Sequence, residues 1–200
     1  MKNLIRKIMA IPSKIYNYVI LNYYHVTHLD SLHINGKIGC VANSKNGISF
    51  GKNVKINSGP NTNPIGGDTR TFLFAKGKGQ IIIGNNVGIS NSTIFATSKI
   101  VIEDNVIIGG SCKIYDTDFH PLEYEARMTN SDANKKDVLI KEGAFIGAHT
   151  IILKGVTIGK RSVIGAGSVV TKNVPDNEIW GGNPAHFLKH INEVVETEKN

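Results

Sequence analysis

The chain has 200 residues, with 23 Lys and Arg against 16 Asp and Glu and a formal net charge of +7. At 40% hydrophobic and 20% charged residues it can bury a core, and 21 Gly with 6 Pro are too few for a collagen-like or low-complexity chain. The basic excess points to an anionic partner, with nucleic acid, a membrane surface and a phosphate-bearing cofactor all open on charge alone.

The N-terminus is basic and apolar. Lys2, Arg6, Lys7 and Lys14 interrupt the apolar residues, Pro12 is expected to break the segment, and no small-residue cleavage site follows. The stretch from Ile15 to Leu29 lacks Lys, Arg, Asp and Glu but is too short to span a bilayer. A secreted or transmembrane protein is not expected. Residues 1–29 read instead as one or two short helices capping the main domain. The alternative is a helix lying on an anionic membrane surface, since no acidic residue occurs up to Val26. Cys40 and Cys112 have no short-spaced partner, which excludes a zinc knot or disulfide framework. They are expected to be free thiols in a reducing compartment, packed as small core residues.

From residue 140 an aliphatic side chain returns every six residues: Ile140, Ile146, Ile152, Ile158, Ile164 and Val170. Four positions after the first five stand Ala144, Thr150, Val156, Ser162 and Ser168, all small or short and β-branched. The frame recurs upstream as Ile83 with Val87, Ile89 with Thr93, Ile102 with Val106, and Ile108 with Cys112, leading to Ile114; Phe50 with Val54 is a weaker copy. The step from Ile89 to Ile102 is thirteen, which places one inserted residue near Thr97–Lys99.

Neither a helix nor a simple alternating sheet has this period. It fits a triangular coil of about 18 residues, three short strands joined by three corners, with the aliphatic residue on the axis. The corners need tight turns, often at positive φ, which accounts for Gly51-Lys52-Asn53, Gly84-Asn85-Asn86 and Glu103-Asp104-Asn105. Successive coils then pair in parallel about 4.8 Å apart. The pattern resembles the hexapeptide-repeat proteins, whose fold is a left-handed parallel β-helix, and the resemblance covers residues 30–185. A short C-terminal helix or tail is expected over 186–200.

The repeat breaks twice. The Gly/Pro-rich stretch 59–79 reads as a hairpin or surface excursion. The polar stretch 115–139 reads as a loop extruded from the helix, and a loop this long in a regular solenoid is usually functional. It holds Asp116, Asp118 and His120. An imidazole with a nearby carboxylate is the minimal general-base unit, because the carboxylate fixes the tautomer while the free nitrogen takes a proton.

The segments DTDFHPLEYEAR, AFIGAHTIILKGVTIGKRSVIGAGSVVTKNVP and GNPAHFLK resemble the sugar O-acetyltransferases of the galactoside/maltose and surface-polysaccharide acetyltransferase type. The resemblance implies acetyl-CoA as donor, a sugar or polysaccharide hydroxyl as acceptor, no metal, and a homotrimer whose coenzyme groove lies between adjacent subunits. It implies His120 as general base, oriented by Asp118 or Asp116. It places coenzyme contacts at Ala148, Ala166, Thr171, Lys172 and Lys189, with His186 standing where a basic residue is commoner. Acceptor contacts are expected at Asn91, Phe145 and Arg127, with Phe145 replacing the family's usual Trp.

His149, at a repeat corner, is a rival base. Other readings are a non-enzymatic β-helix scaffold and a zinc carbonic-anhydrase-like enzyme. The second lacks the His that would stand five residues after His120, where Glu125 is found. Scattered basic residues and no binding motif argue against nucleic acid. The expected location is the cytoplasm, at the inner face of the membrane if the N-terminus touches it.

Overall fold

The computed structural model describes residues 2–27, 31–60, 62–63, 65, 67, 69–129 and 131–191, with backbone alone for 2–11. A helix, α1 (Lys2–Tyr23), opens the chain. Six triangular coils follow. The first is β1 (His33–Gly36), β2 (Gly39–Ala42) and β3 (Ile48–Phe50); the second is β4 (Lys55–Ser58), β5 (Phe72–Ala75) and β6 (Gln80–Ile83). The third is β7 (Gly88–Ser90), β8 (Thr93–Ala96) and β9 (Lys99–Ile102). The fourth is β10 (Ile107–Ile108), β11 (Lys113–Tyr115) and β12 (Val138–Ile140), interrupted by a loop that carries α2 (Tyr124–Met128). The fifth is β13 (Phe145–Ile146), β14 (Ile151–Ile152) and β15 (Thr157–Ile158). The sixth has β16 (Val163–Ile164) and β17 (Val169–Val170), with Val174 bridging to Ile158 on its third side. A hairpin of β18 (Glu178–Gly182) and β19 (Ala185–His190) ends the described chain.

Strands of the same side stack in parallel and build the three faces of a β-helix. Face one runs β1-β4-β7-β10-β13-β16-β18-β19, face two β2-β5-β8-β11-β14-β17, and face three β3-β6-β9-β12-β15. The six-residue frame becomes the axis. Ile56, Ile89, Ile108, Ile146 and Ile164 are in register on face one, and Leu73, Ile94, Ile114, Ile152 and Val170 on face two. All are essentially inaccessible, and burying each aliphatic side chain contributes about 1.5–3 kcal/mol. The corner between faces three and one stacks Asn53, Asn86 and Asn105, all at positive φ. Their amides form a ladder, Asn53 Nδ2 donating to Asn86 Oδ1 at 3.2 Å and Asn86 Nδ2 to Asn105 Oδ1 at 3.1 Å. Asn tolerates this conformation and bonds its neighbours, which suits it to repeated corners.

Several expectations need correction. The helix α1 runs through Pro12. Proline deletes a single donor, and the turns on either side keep theirs. Asn17 ties the helix to the first coil, its Oδ1 accepting from Ile38 N at 3.1 Å and its Nδ2 donating to Gly36 O at 2.8 Å. Leu21 joins the core, while Ile15, Tyr18, Val19 and Tyr23 are exposed.

The excursion is shorter than 59–79. Phe72–Ala75 is a full face-two strand with Leu73 and Ala75 buried, so the chain rejoins the coil by residue 71. The third coil also differs in detail. Ile89 to Ile94 spans five residues and Ile94 to Ile102 eight, against six and six from Ile146 through Ile152 to Ile158. One corner is therefore one residue short and the next is two long. Consequently Ser92 takes the small buried position expected of Thr93: its Oγ donates to Gly109 O and accepts from Cys112 N.

Finally, residues 186–190 of the expected C-terminal helix form strand. β18 extends face one, and β19 pairs antiparallel with it. The side chains from His186 to His190 are all exposed, so no apolar helical stripe exists, and pairing satisfies the open strand edge instead. Residues 192–200 lie outside the described residues.

The axial assignment predicts that Ile146→Ala lowers stability by about 2–5 kcal/mol, whereas Val163→Ala on the outer side of face one costs much less. Urea denaturation reads both, and equal midpoints would contradict the register.

Candidate functional site

The fourth coil opens between Tyr115 and Val138, at the corner joining faces two and three. The loop's neck is itself paired: Thr117 bridges Lys135 antiparallel, Asp118 N donates to Asn134 O at 3.1 Å, and Lys136 N donates to Asp116 O at 2.9 Å. Beyond the neck, Phe119 sits at φ +64°, a costly conformation for a bulky residue. An aromatic column holds it there. The Phe119 ring lies 4.9 Å from Phe95 and 5.0 Å from Tyr115, and Phe95 lies 5.0 Å from Phe74 on the next strand. Such contacts contribute about 0.5–1.5 kcal/mol each beyond their buried area. The column thereby anchors the residue preceding His120.

His120 is exposed, makes no hydrogen bond among the described residues, and lines a cavity of about 490 Å³. Arg127, from α2, lines the same cavity. Its Nη1 donates to Pro121 O and Leu122 O, folding the loop back on itself beside His120.

The two aspartates separate cleanly. Asp116 is fully buried, and its carboxylate accepts from Thr97 N (2.8 and 3.0 Å), Thr97 Oγ1 (3.1 Å) and Ser98 N (2.7 Å). It closes the enlarged corner of the third coil and has no capacity to spare for an imidazole. Asp118 pairs through Oδ1 with Lys154 Nζ at 2.7 Å, while its Oδ2 is buried without a hydrogen-bond partner among the described residues. A buried carboxylate oxygen without a donor is costly, which marks it as a place where a donor belongs.

Ala148 and Ala166 stack at the corner between faces one and two, on coils five and six. A Cβ on Gly147 would come within 2.6 Å of Ala166 N, so the coils meet there backbone to backbone. No hydrogen bond is donated by the N–H of Ala148 among the described residues. His149 is exposed on the same corner at φ +62°. Thr171 and Lys172 are exposed on the other edge of face two, the edge from which the His120 loop leaves two coils earlier. Lys189 is exposed on β19, and the His186 ring lies 3.4 Å from Pro184 O.

Asn91 and Phe145, expected at the acceptor, are not among the residues that line the cavity beside His120. Asn91 is buried, its Oδ1 accepting from Gly59 N at 2.9 Å and its Nδ2 donating to Gly59 O and Asn63 O. Its amide clamps the root of the 59–70 excursion. Phe145 is exposed on the outer side of face one, in register with Ile107 and Val163.

Both thiols are free and buried. Burial pushes Cys40 up to about 12 and raises Cys112, whose Sγ lies 3.1 Å from Gly147 O. Among the described residues, no group of three His, Cys, Asp or Glu side chains is placed to hold a metal.

Sequence reasoning missed Lys154, the aromatic column and the lysines at 76 and 78. Only the last had a local signal, the KGKG run, and it was absorbed into a stretch read as an interruption.

Residues 137–172 match the bacterial transferase hexapeptide family (six repeats). A galactoside O-acetyltransferase of Lactococcus lactis subsp. lactis (strain IL1403) is 42% identical over 103 residues, 52% of this chain and 49% of that protein. The matched segments span about half the length of such curated relatives. Among solved structures, a galactoside acetyltransferase in complex with coenzyme A superposes with a TM-score of 0.59 at 27% identity, covering 88% of this chain and 69% of the other. A hexapeptide-repeat acetyltransferase of Vibrio cholerae O1 biovar eltor complexed with acetyl coenzyme A gives 0.59 at 25% identity, covering 88% and 76%.

If Asp116 closes the corner, Asp116→Asn leaves an amide group facing backbone N–H donors and should cost about 1.5–3 kcal/mol. A urea midpoint equal to that of the parent would return Asp116 to the catalytic candidates.

Proposed function

We propose that this hexapeptide-repeat protein is an acetyl-CoA-dependent O-acetyltransferase acting on a sugar hydroxyl, with His120 as general base. One observation carries the reading: an imidazole without a hydrogen bond lines a 490 Å³ cavity, two residues from a carboxylate oxygen that is buried and unpaired. In catalysis the loop brings the Nδ1–H of His120 onto the unpaired Asp118 Oδ2, which fixes the tautomer while Lys154 holds Oδ1 in place. The Nε2 atom then takes the hydroxyl proton as the acceptor oxygen attacks the thioester carbonyl carbon. The carbon–sulfur bond breaks and coenzyme A leaves as its thiol, taking back the proton that His120 holds. The unpaired N–H of Ala148 suits stabilisation of the carbonyl oxygen as charge develops on it.

Within one chain, Ala148 and His120 stand on opposite edges of face two, so a complete site pairs the loop edge of one subunit with the corner column of another. A cyclic homotrimer provides that pairing three times over. The coenzyme-bound relatives support acetyl-CoA as donor, and the motif resemblance assigns Ala148, Ala166, Thr171, Lys172 and Lys189 as its contacts. A surface polysaccharide or lipopolysaccharide is the acceptor favoured by the loop's resemblance, and a cytoplasmic location follows from that donor.

The outer face of α1, with Ile15, Tyr18, Val19 and Tyr23 exposed and no acidic residue up to Val26, suits an anionic membrane surface. No described helix is long and apolar enough to cross a membrane.

His120→Ala should lower kcat for acetyl transfer by about 10²–10⁴ while the circular dichroism spectrum and subunit number stay unchanged. A folded variant with near-normal activity removes His120 as the base, and undetectable coenzyme A binding by the parent chain favours the scaffold reading. The chain should sediment with phosphatidylglycerol-containing vesicles at low salt, less at high salt, and not after Tyr18→Glu with Val19→Glu. Sedimentation unchanged by these substitutions excludes α1 as the contact.

A further inference from the structure

We propose that the cavity beside His120 selects an acceptor sugar that itself carries negative charge, as a carboxylate or a phosphate. The proposal rests on the acetyl-transfer reading and names the substrate class for the same site.

The cavity has two kinds of wall. One is aromatic: Phe95 and Phe119, part of the column that anchors the loop. Flat apolar rings suit the C–H face of a pyranose. The other is cationic. Lys76 and Lys78 reach it from the second coil, Lys135 from the neck of the loop, and Arg127 from α2, against a single acid, Asp132.

None of these four cations enters an ion pair among the described residues, whereas Lys154, on the same edge one coil beyond the loop, is paired with Asp118. The cavity wall therefore carries positive charge that no carboxylate compensates among the described residues. A concave site with uncompensated charge of one sign concentrates ligands of the other. Arg127 adds direction, since anchoring Nη1 on two loop carbonyls fixes the guanidinium and leaves its other N–H groups for a bidentate anion.

The coenzyme does not explain these cations. Its candidate contacts lie on coils five and six and on β19, whereas Lys76 and Lys78 stand on coil two. Three rungs of parallel pairing separate coil two from Ala148, about 14 Å along the axis. The charge at 76 and 78 thus faces the acceptor side of His120.

The test uses the full chain with saturating acetyl-CoA and three matched acceptors, read by thiol release: methyl galactoside, methyl galacturonide and galactose 1-phosphate. A charged acceptor should show about tenfold higher kcat/KM than the neutral one, and the preference should shrink as salt rises. Lys76→Glu with Lys78→Glu should erase the preference through acceptor KM, leaving kcat and the KM for acetyl-CoA unchanged. Preference for the galacturonide over the phosphate, or the reverse, identifies the source of the charge. Equal turnover of neutral and charged sugars, or a rise in the acetyl-CoA KM instead, overturns the proposal.

If no acceptor reacts, the acetyl-transfer reading fails separately. Calorimetric titration of galacturonate and galactose 1-phosphate then reads the cavity directly. Salt-sensitive binding lost in the double variant supports it, and no binding overturns it.

Discussion

Parallel backbone pairing between coils is the constraint on which everything else rests. Each strand bonds to the strand one turn before and one turn after, so each inward side chain sits directly beneath its counterpart. An Ile above an Ile fills the axis without a void, and the same register forces corners into columns: asparagines on one edge, glycine and alanine backbone on another. Chain can leave such a stack only where a corner opens. Both large departures do so, 59–70 between faces one and two and 116–137 between faces two and three. Both long excursions, the one that carries His120 included, therefore leave from edges of the prism and not from the middle of a face.

The edge between faces two and three illustrates how a rigid stack positions a flexible group. Residues 76–79, the Thr97–Ser98 turn, the His120 loop, Lys154 and Thr171–Lys172 follow one another along it, one coil apart. Asp116 closes the Thr97–Ser98 turn, and Asp118 reaches to Lys154 on the following coil. Two acids two residues apart thus bind in opposite directions along the edge and hold the root of the loop between them. The strained φ of Phe119 is tolerated because its ring finishes an aromatic stack begun on Phe74.

Much of this was legible beforehand. The six-residue frame showed the solenoid, its axis and the loop that carries His120, because those features depend on periodicity alone. Where period and geometry part, sequence reasoning went astray. Leu73 lies on the axis, but the excursion before it removes its six-residue partner. Ser92 rather than Thr93 is buried because one corner is shortened and its neighbour lengthened, which cancels to a single extra residue in the linear count. Asn91 resembled an acceptor contact, yet an Asn at positive φ on a corner is as well suited to clamping backbone. The division of labour between Asp116 and Asp118 had no linear signal. It depends on which neighbouring coil each carboxylate meets, and that is decided by stacking.

Because every coil adds the same rise, distance along the edge is counted in whole rungs. The cations at 76 and 78 and the imidazole on the fourth coil are separated by a fixed number of them, so on the proposed reading the stack works as a ruler between acceptor grip and reaction. A further coil inserted between the second and third would leave Phe95 beside Phe119 and the Thr97–Ser98 turn on Asp116, and change only the interval, by about 4.8 Å. On the proposed reading, selection for a longer acceptor could then proceed by gaining turns, with no alteration to the loop that carries His120.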